Sequence, residues 1–89
     1  MSFLDLAVGY NYGGWFMNIK FLIQKGITQS EIDVLKYLVT GLKNEEIAKN
    51  MYISVSTVKK HLESIYEKLS VHNRLQAIYV AFIEDDIIV

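Results

Sequence analysis

The sequence predicts an all-α domain of four helices over residues 27–89, preceded by an apolar extension over residues 1–26. Apolar residues recur at helical spacing in four segments after residue 27, and a side chain that favours a helix start stands before each segment. The chain has 89 residues, of which 52% are hydrophobic, so it has the size and composition of one domain with a core. Because cysteine is absent, disulfides, thiolate zinc sites and thiol nucleophiles are excluded.

The N-terminal extension follows a different pattern from the rest of the chain. Tyr10, Asn11 and the two glycines at 13 and 14 predict a turn. After it, apolar residues alternate from Trp15 to Ile23, a period of two that predicts a strand. Residues 3–8 are the predicted hairpin partner of that strand. Because an isolated two-stranded hairpin is only marginally stable in water, we interpret it as a packing or dimerisation appendage. The alternatives are a remnant of a larger protein and a poorly ordered segment.

The first two predicted helices are defined by their ends. Thr28 and Glu31 form a capping box before an apolar helical stripe, and Gly41 provides the stop. Asn44 is the predicted N-cap of a second, short helix. The apolar positions of these helices are Ile32, Leu35, Leu38, Val39, Ile47, Ala48 and Met51.

A third helix is predicted over residues 54–69, with Ser54 as its cap. Only Tyr52 and Ile53 precede that cap after the second helix, so the connection is a sharp helix-to-helix turn. On a helical wheel one face is apolar, with Val58, Leu62, Ile65 and Leu69. Asn73 is the predicted cap of a fourth helix over residues 74–84, whose apolar positions are Ala77, Ile78, Ala81 and Phe82.

Five segments in register resemble the LuxR-type helix-turn-helix DNA-binding domain of bacterial transcription regulators. They read ITQSEIDVL at 27–35, GLKNEEIA at 41–48, ISVSTVKKH at 53–61, IYEKL at 65–69 and NRLQA at 73–77. The resemblance covers about two-thirds of the chain. It implies that the helix at 54–69 enters the major groove of duplex DNA. It also implies that the helix at 74–84 pairs two subunits, here through Ala77, Ile78, Ala81 and Phe82.

The first turns of the helix at 54–69 carry the predicted DNA contacts, because only those turns approach base edges in helix-turn-helix docking. They present Ser56, Thr57, Lys59, Lys60 and Glu63. A lysine donates either to guanine O6 and N7 or to phosphate, and the sequence leaves both open. Glu63 follows Lys59 by one helical turn, so we favour an ion pair between them over acceptance from cytosine N4.

Four further residues complete the predicted DNA-binding set. Ser54 either contacts phosphate or serves only as the helix cap, and the cap is the stronger interpretation. Asn44 belongs to the set through the family motif. Lys68 and Arg74 are placed to reach flanking phosphates, although favourable charge near helix ends, or solubility alone, explains both nearly as well.

The charge of the chain argues for weak binding by a single copy. The net charge is −1, and the acidic excess lies at Glu84, Asp85 and Asp86. A small basic face on the helix at 54–69 is therefore available, without a strong global field for DNA. Pairing of two copies is thus expected to be part of the function.

Ser70 stands where the family usually has glycine. If that position takes a left-handed backbone, serine costs about 1 kcal/mol relative to glycine.

We predict a cytoplasmic, homodimeric regulator of transcription that binds double-stranded DNA, with RNA polymerase or another regulator as further partners. The rival hypothesis is an interaction module that dimerises with another regulator and titrates it without binding DNA. An enzyme is not expected, because no phosphate-binding loop, nucleophile–base pair or metal-ligand spacing occurs. No cofactor, metal or membrane segment is predicted. Residues 1–26 are too few for a receiver or sensor domain. If the chain is complete, its control is expected to come from its own abundance, its partners or dimer exchange, whereas in a fragment the regulatory half would be missing.

Overall fold

Five helices and two short strands follow one another in the computed structural model, which describes the backbone of residues 15–84 and the side chains of residues 16–82. They are β1 (Trp15–Met17), α1 (Ile19–Gln24), α2 (Gln29–Val39), α3 (Asn44–Met51), α4 (Val55–Leu69), α5 (Arg74–Ala81) and β2 (Phe82–Glu84). The four predicted helices are confirmed as α2 to α5. No helix in the described part of the chain is long and apolar enough to cross a bilayer.

The capping box predicted for α2 is confirmed. Thr28 Oγ1 accepts a hydrogen bond from the Glu31 N–H at 3.2 Å, and Glu31 Oε1 accepts from the Thr28 N–H at 2.9 Å. Gly41 has a φ of 86°, which suits a residue that ends a helix in the left-handed conformation. Asn73 caps α5 as predicted, because its Oδ1 accepts from the Gln76 N–H at 2.9 Å.

The predicted cap of α3 is wrong by one residue. Asn44 is already the first residue of the helix, and Lys43 occupies the cap position with extended backbone. The Glu46 carboxylate accepts from the Lys43 N–H at 2.8 Å, which satisfies one free donor at this helix start. The Asn44 side chain instead accepts a hydrogen bond from Arg74.

The core lies between α2, α4 and α5, with α3 packed against α4 and α2. The stripe predicted on α4 is confirmed, since the buried residues of that helix are Val58, Leu62, Ile65 and Leu69. The other helices contribute Leu22, Ile32, Val34, Leu35, Leu38, Ile47, Ala48, Ala77 and Ala81, and Met17, Ile27 and Phe82 complete the core.

The described part of the extension begins at Trp15 with the short strand β1. β1 pairs antiparallel with β2, in a register that places Met17 opposite Phe82 and Phe16 opposite Ile83. The Asn18 N–H continues this pairing by donating to the Ala81 carbonyl at 2.9 Å. The strand prediction is therefore confirmed at 15–17, but the strand's partner within residues 15–84 comes from the other end of the chain. The predicted partner at residues 3–8 lies outside the described residues.

Residues 19–24 form the helix α1, so the strand predicted through Ile23 is wrong there. Helical geometry explains which side chains are inside: Leu22 is fully buried, whereas Ile23 is 60% exposed. Alternation from Trp15 would have placed Ile23 on the same side as Met17, which is fully buried. α1 packs on α5, so Met17 and Leu22 join the core of the helical domain.

The helix predicted over residues 74–84 is shorter than expected. α5 ends at Ala81, and Phe82 takes extended backbone with φ −124° and ψ 149°. The change occurs because the backbone of residues 82–84 pairs with β1. These three residues therefore form a strand and do not extend α5.

Candidate nucleic-acid interface

A three-residue connection joins α3 to α4. Tyr52, directly after α3, takes the left-handed conformation with a φ of 58°. The Ile53 N–H then donates back to the Ala48 carbonyl at 3.0 Å, which completes the end of α3. Ser54 follows as the cap of α4. The chain thus turns sharply between the two helices, which is the local geometry of a helix-turn-helix unit.

The start of α4 is held by a cluster of hydroxyl groups. Ser54 Oγ accepts from the Thr57 N–H at 3.1 Å, so Ser54 caps α4. The same Oγ lies 2.9 Å from Ser56 Oγ and 2.9 Å from Thr57 Oγ1. Ser54 and Ser56 are exposed and Thr57 is half-buried. The positive end of the 15-residue helix α4 is therefore surrounded by polar groups that can bond to an anion such as phosphate.

Lys59 and Lys60 are exposed on the first turns of α4, beside this cluster. Glu63 is also exposed, one turn further along. The ion pair predicted between Lys59 and Glu63 is not formed, since the described residues contain only the pairs Lys36–Asp33 and Lys68–Glu31 within 4.0 Å. The ammonium groups of Lys59 and Lys60 are therefore free of carboxylate partners in the described part of the chain.

Lys68 points into the domain and not towards the start of α4. Its Nζ donates to Glu31 Oε1 at 2.8 Å, and the Glu31 side chain is only 4% exposed. Burial raises the pKa of the Glu31 carboxyl, but hydrogen bonds from Lys68, Ser64 and the Thr28 backbone outweigh it and hold that pKa below its usual value. A charge committed to a buried carboxylate is poorly available for phosphate.

Arg74 and Asn44, both in the predicted DNA-binding set, contact each other. Arg74 Nη1 donates to the Leu42 carbonyl at 2.8 Å, and its Nη2 donates to Asn44 Oδ1. Both side chains are half-buried. The structure thus separates the predicted set into two groups, because Ser54, Ser56, Thr57, Lys59, Lys60 and Glu63 lie on the first turns of α4, whereas Asn44, Lys68 and Arg74 make internal contacts.

The residues predicted for dimerisation lie mostly inside one chain. Ala77 and Ala81 are fully buried and Phe82 is 3% exposed, while Ile78 is half-buried. The apolar side chains that α5 presents outside are Leu75 and Tyr79, which are 75% and 72% exposed. They line a shallow groove together with Val71, His72 and Val80. Sequence reasoning missed Leu75 and Tyr79, although their spacing of four residues places them on one helix face.

Comparison with known proteins identifies the class to which this arrangement belongs. Residues 25–81 match the family described as "Bacterial regulatory proteins, luxR family". The match covers α2 to α5, including the turn between α3 and α4. The chain therefore belongs to this family of regulatory proteins, and it carries the family's helix-turn-helix domain.

Individual relatives are response regulators or transcriptional regulators by name. The nitrate/nitrite response regulator protein homolog of Haemophilus influenzae is 41% identical over 63% of this chain and 27% of its own length. The transcriptional regulatory protein LnrK of Bacillus subtilis is 49% identical over 57% of this chain and 23% of its own length. The response regulator VraR of Staphylococcus aureus is 39% identical over 63% of this chain and 27% of its own length.

A solved structure agrees with the fold. The response regulator ChrA of a heme-sensing two-component system superposes with a TM-score of 0.60 at 44% sequence identity. The superposition covers 61% of this chain and 27% of ChrA. The chain thus matches about a quarter of the length of these relatives.

Proposed function

We propose that this domain binds duplex DNA by placing the first turns of α4 in the major groove, as part of a regulator of transcription. The observation that carries the proposal is the pair of exposed lysines, Lys59 and Lys60, beside the hydroxyl-lined start of α4. Family membership supports the same function. The proposed contacts are those of Ser54, Ser56, Thr57, Lys59, Lys60 and Glu63.

The proposed contacts are of three chemical kinds: hydroxyl groups, lysine ammonium groups and one carboxylate. The hydroxyls of Ser56 and Thr57 and the N-terminal end of α4 suit phosphate oxygens, which set the position of the protein on DNA. Lys59 and Lys60 suit either phosphate or the O6 and N7 acceptors of guanine. Glu63, which has no ion-pair partner among residues 16–82, suits the amino group of cytosine.

We further propose that two copies pair through α5, with Leu75 and Tyr79 as the central contacts. Both side chains are large, apolar and exposed, and they lie beside a groove that a neighbouring helix can fill. Two-fold pairing would present two α4 helices to DNA half-sites about one helical turn apart. Such a dimer would act on DNA in the cytoplasm, and RNA polymerase or another regulator would be its protein partner.

The DNA proposal is tested by measuring affinity against salt concentration for a duplex that the wild-type domain enriches from a random library. Replacing Lys59 and Lys60 by alanine should weaken binding, and the slope of log affinity against log salt should fall by up to ~2 if both lysines contact phosphate. The matched control replaces Lys20 and Lys25 by alanine. These exposed lysines lie on and just after α1, which packs chiefly on α5, and they carry the same charge.

Two outcomes would overturn the proposal. One is the absence of saturable binding by the wild type at low salt, which would favour the interaction module that titrates another regulator. The other is an equal loss of affinity in both double variants, because only overall charge would then matter.

A further inference from the structure

Arg74 connects the proposed pairing helix to the helix-turn-helix unit. It is the first residue of α5, and its guanidinium reaches across to the start of α3. There it donates to the Leu42 carbonyl at 2.8 Å and to Asn44 Oδ1. Leu42 precedes α3 by two residues and Asn44 opens it, so the two acceptors lie on either side of the point where α3 begins.

α3 and α5 have little direct packing with each other. α3 packs on α4 and α2, whereas α5 packs on α2, α4, α1 and β2, so α3 and α5 are not among the main packed pairs. Hydrogen bonds between the described residues of α5 and the start of α3 come only from Arg74. A planar guanidinium that donates to two acceptors fixes both the distance and the angle of the groups it joins, which a single point charge does not.

We propose that Arg74 is a positioning residue, which acts through Asn44 and Leu42 to set the orientation of the α3–α4 unit relative to α5. The inference rests on the proposed function, because that orientation matters for DNA only if α4 reads the groove and α5 pairs the subunits. In such a dimer, the relation of α4 to α5 sets the distance between the two DNA half-sites. Because α4 also packs directly on α5, Arg74 adds to that packing by fixing the start of α3, and it thereby sharpens half-site spacing without touching DNA.

This role differs from the phosphate contact that the sequence suggested for Arg74. A phosphate contact requires guanidinium donors directed outward, whereas Nη1 and Nη2 each direct one donor to an acceptor within the domain. Removing a phosphate contact lowers the salt slope of binding by about 1, whereas removing a positioning contact leaves the slope unchanged. The salt slope of binding therefore distinguishes the two roles.

A distance measurement within one subunit tests positioning without DNA. Because the chain has no cysteine, Glu45→Cys on α3 and Gln76→Cys on α5 introduce one spin label on each helix. Both positions are exposed, and dilution with unlabelled protein isolates the distance within one subunit. The labels should give one narrow distance distribution in the parent. Arg74→Ala and Asn44→Ala should each broaden it, and Arg74→Lys, which keeps one donor group, should give an intermediate width.

The DNA measurement uses a duplex enriched by the wild-type domain, and a series in which the central spacer is lengthened or shortened by one base pair. Asn44→Ala, which removes one charge-assisted hydrogen bond and leaves that to the Leu42 carbonyl, should reduce the preference for the enriched spacing by about tenfold. Arg74→Ala removes both bonds and should reduce it further, and the double variant should lose no more than Arg74→Ala alone. Affinity for a single half-site and the salt slope should stay as in the wild type.

Thr28→Ala is the matched control, because it removes the α2 cap and lowers stability by about 1 kcal/mol without touching this contact. Its spacing preference should be that of the wild type.

An unchanged distance distribution in Arg74→Ala overturns the positioning role. A salt slope reduced by about 1, or an equal loss of affinity at every spacing, also overturns it. Failure of the wild type to bind any duplex overturns the DNA proposal, and the spin-label distances still decide whether Arg74 positions α3.

Discussion

Lys68 Nζ lies 2.8 Å from Glu31 Oε1 and joins the last turn of α4 to the first turn of α2. The same Oε1 accepts from the Thr28 N–H at 2.9 Å and so closes the capping box. One nearly buried carboxylate therefore serves both as part of a helix cap and as the partner of a distant cation. The ion pair between this carboxylate and Lys68 must be kept, because a buried carboxylate without a partner is strongly destabilising.

Glu31→Gln should make the domain less stable at neutral pH, by about 1–3 kcal/mol, since the amide loses the charge-assisted bond to Lys68. The pKa of Glu31 is lowered in the folded state, because hydrogen bonds from Lys68, Ser64 and Thr28 outweigh the effect of burial. The ionised carboxylate thus stabilises the fold above the unfolded-state pKa of about 4.3, and this stabilisation is lost as pH falls through the lower folded-state pKa.

Urea unfolding of both proteins from pH 7 to below pH 4 measures this effect. The free-energy difference between wild type and Glu31→Gln should stay constant down to about pH 5 and shrink below it. Glu45→Gln, at an exposed position of α3, is the control and should track the wild type. A difference that grows as the pH falls would contradict the role assigned to Glu31.

Ser70→Gly should stabilise the domain by about 0.5–1 kcal/mol. Ser70 ends α4 in the left-handed conformation with a φ of 57°, where a Cβ atom is unfavourable and glycine is not. Part of this gain is offset by the larger unfolded-state entropy of glycine. Thermal unfolding of Ser70→Gly and Ser70→Ala measures the net change in stability. The alanine variant, which keeps the Cβ atom, should show no gain in stability. Equal stabilisation by both would assign the effect to the hydroxyl.

Leu75→Asp combined with Tyr79→Asp should convert the proposed dimer to monomer without unfolding it. Both side chains are exposed in the single chain, so their replacement costs little there, whereas two charges in an apolar interface prevent pairing. Sedimentation velocity measures the mass and circular dichroism the fold. Ile23→Asp on α1, a third exposed apolar position, should remain dimeric. A wild type that sediments as a monomer at high concentration would contradict pairing through α5.

Ala81 offers a contrasting substitution on the same helix. Its side chain is fully buried in the core of one chain. Ala81→Glu should therefore unfold the domain, because a charge would be placed among apolar groups without a partner. Loss of dimer in that variant would accompany loss of helix content, unlike in the Leu75 and Tyr79 variant.

Leu22→Ala should destabilise the domain by about 2–4 kcal/mol, since Leu22 is fully buried and the truncation leaves a cavity. Ile23→Ala should change stability by less than about 0.5 kcal/mol, because Ile23 is 60% exposed. Chemical unfolding of the two variants provides the comparison. The reverse order of effects would favour the strand predicted from the sequence over the helix α1.

The sequence predicted best those features whose causes are local. The caps at Thr28, Ser54 and Asn73 depend on groups three residues away in the chain, so the residue pattern contains both partners. The buried stripe of α4 follows in the same way from helical spacing. These features, together with the family motifs, were sufficient to predict the helix-turn-helix fold and to select the candidate residues on the first turns of α4.

Two failed predictions are local, the cap of α3 at Asn44 and the Lys59–Glu63 ion pair. The other failed predictions concern partners distant in the chain. Whether residues 19–24 form a strand or a helix depends on the surface they cover, and alternation over so short a segment fits both. The pairing of β1 with β2, and with it the end of α5 at Ala81, joins residues from opposite ends of the chain. Burial of Ala77 and Ala81 likewise depends on which side of α5 meets α2 and α4.

Lys68 and Arg74 show which properties follow from the sequence and which depend on the tertiary structure. The sequence by itself determined that both are cations near helix ends, and it left open whether they face DNA, solvent or the protein. Only the tertiary structure placed Glu31 beside Lys68, and Asn44 with the Leu42 carbonyl beside Arg74. The physical reason is that a long, flexible cationic side chain binds whichever acceptor the fold brings within reach, and separation along the chain does not reveal that acceptor.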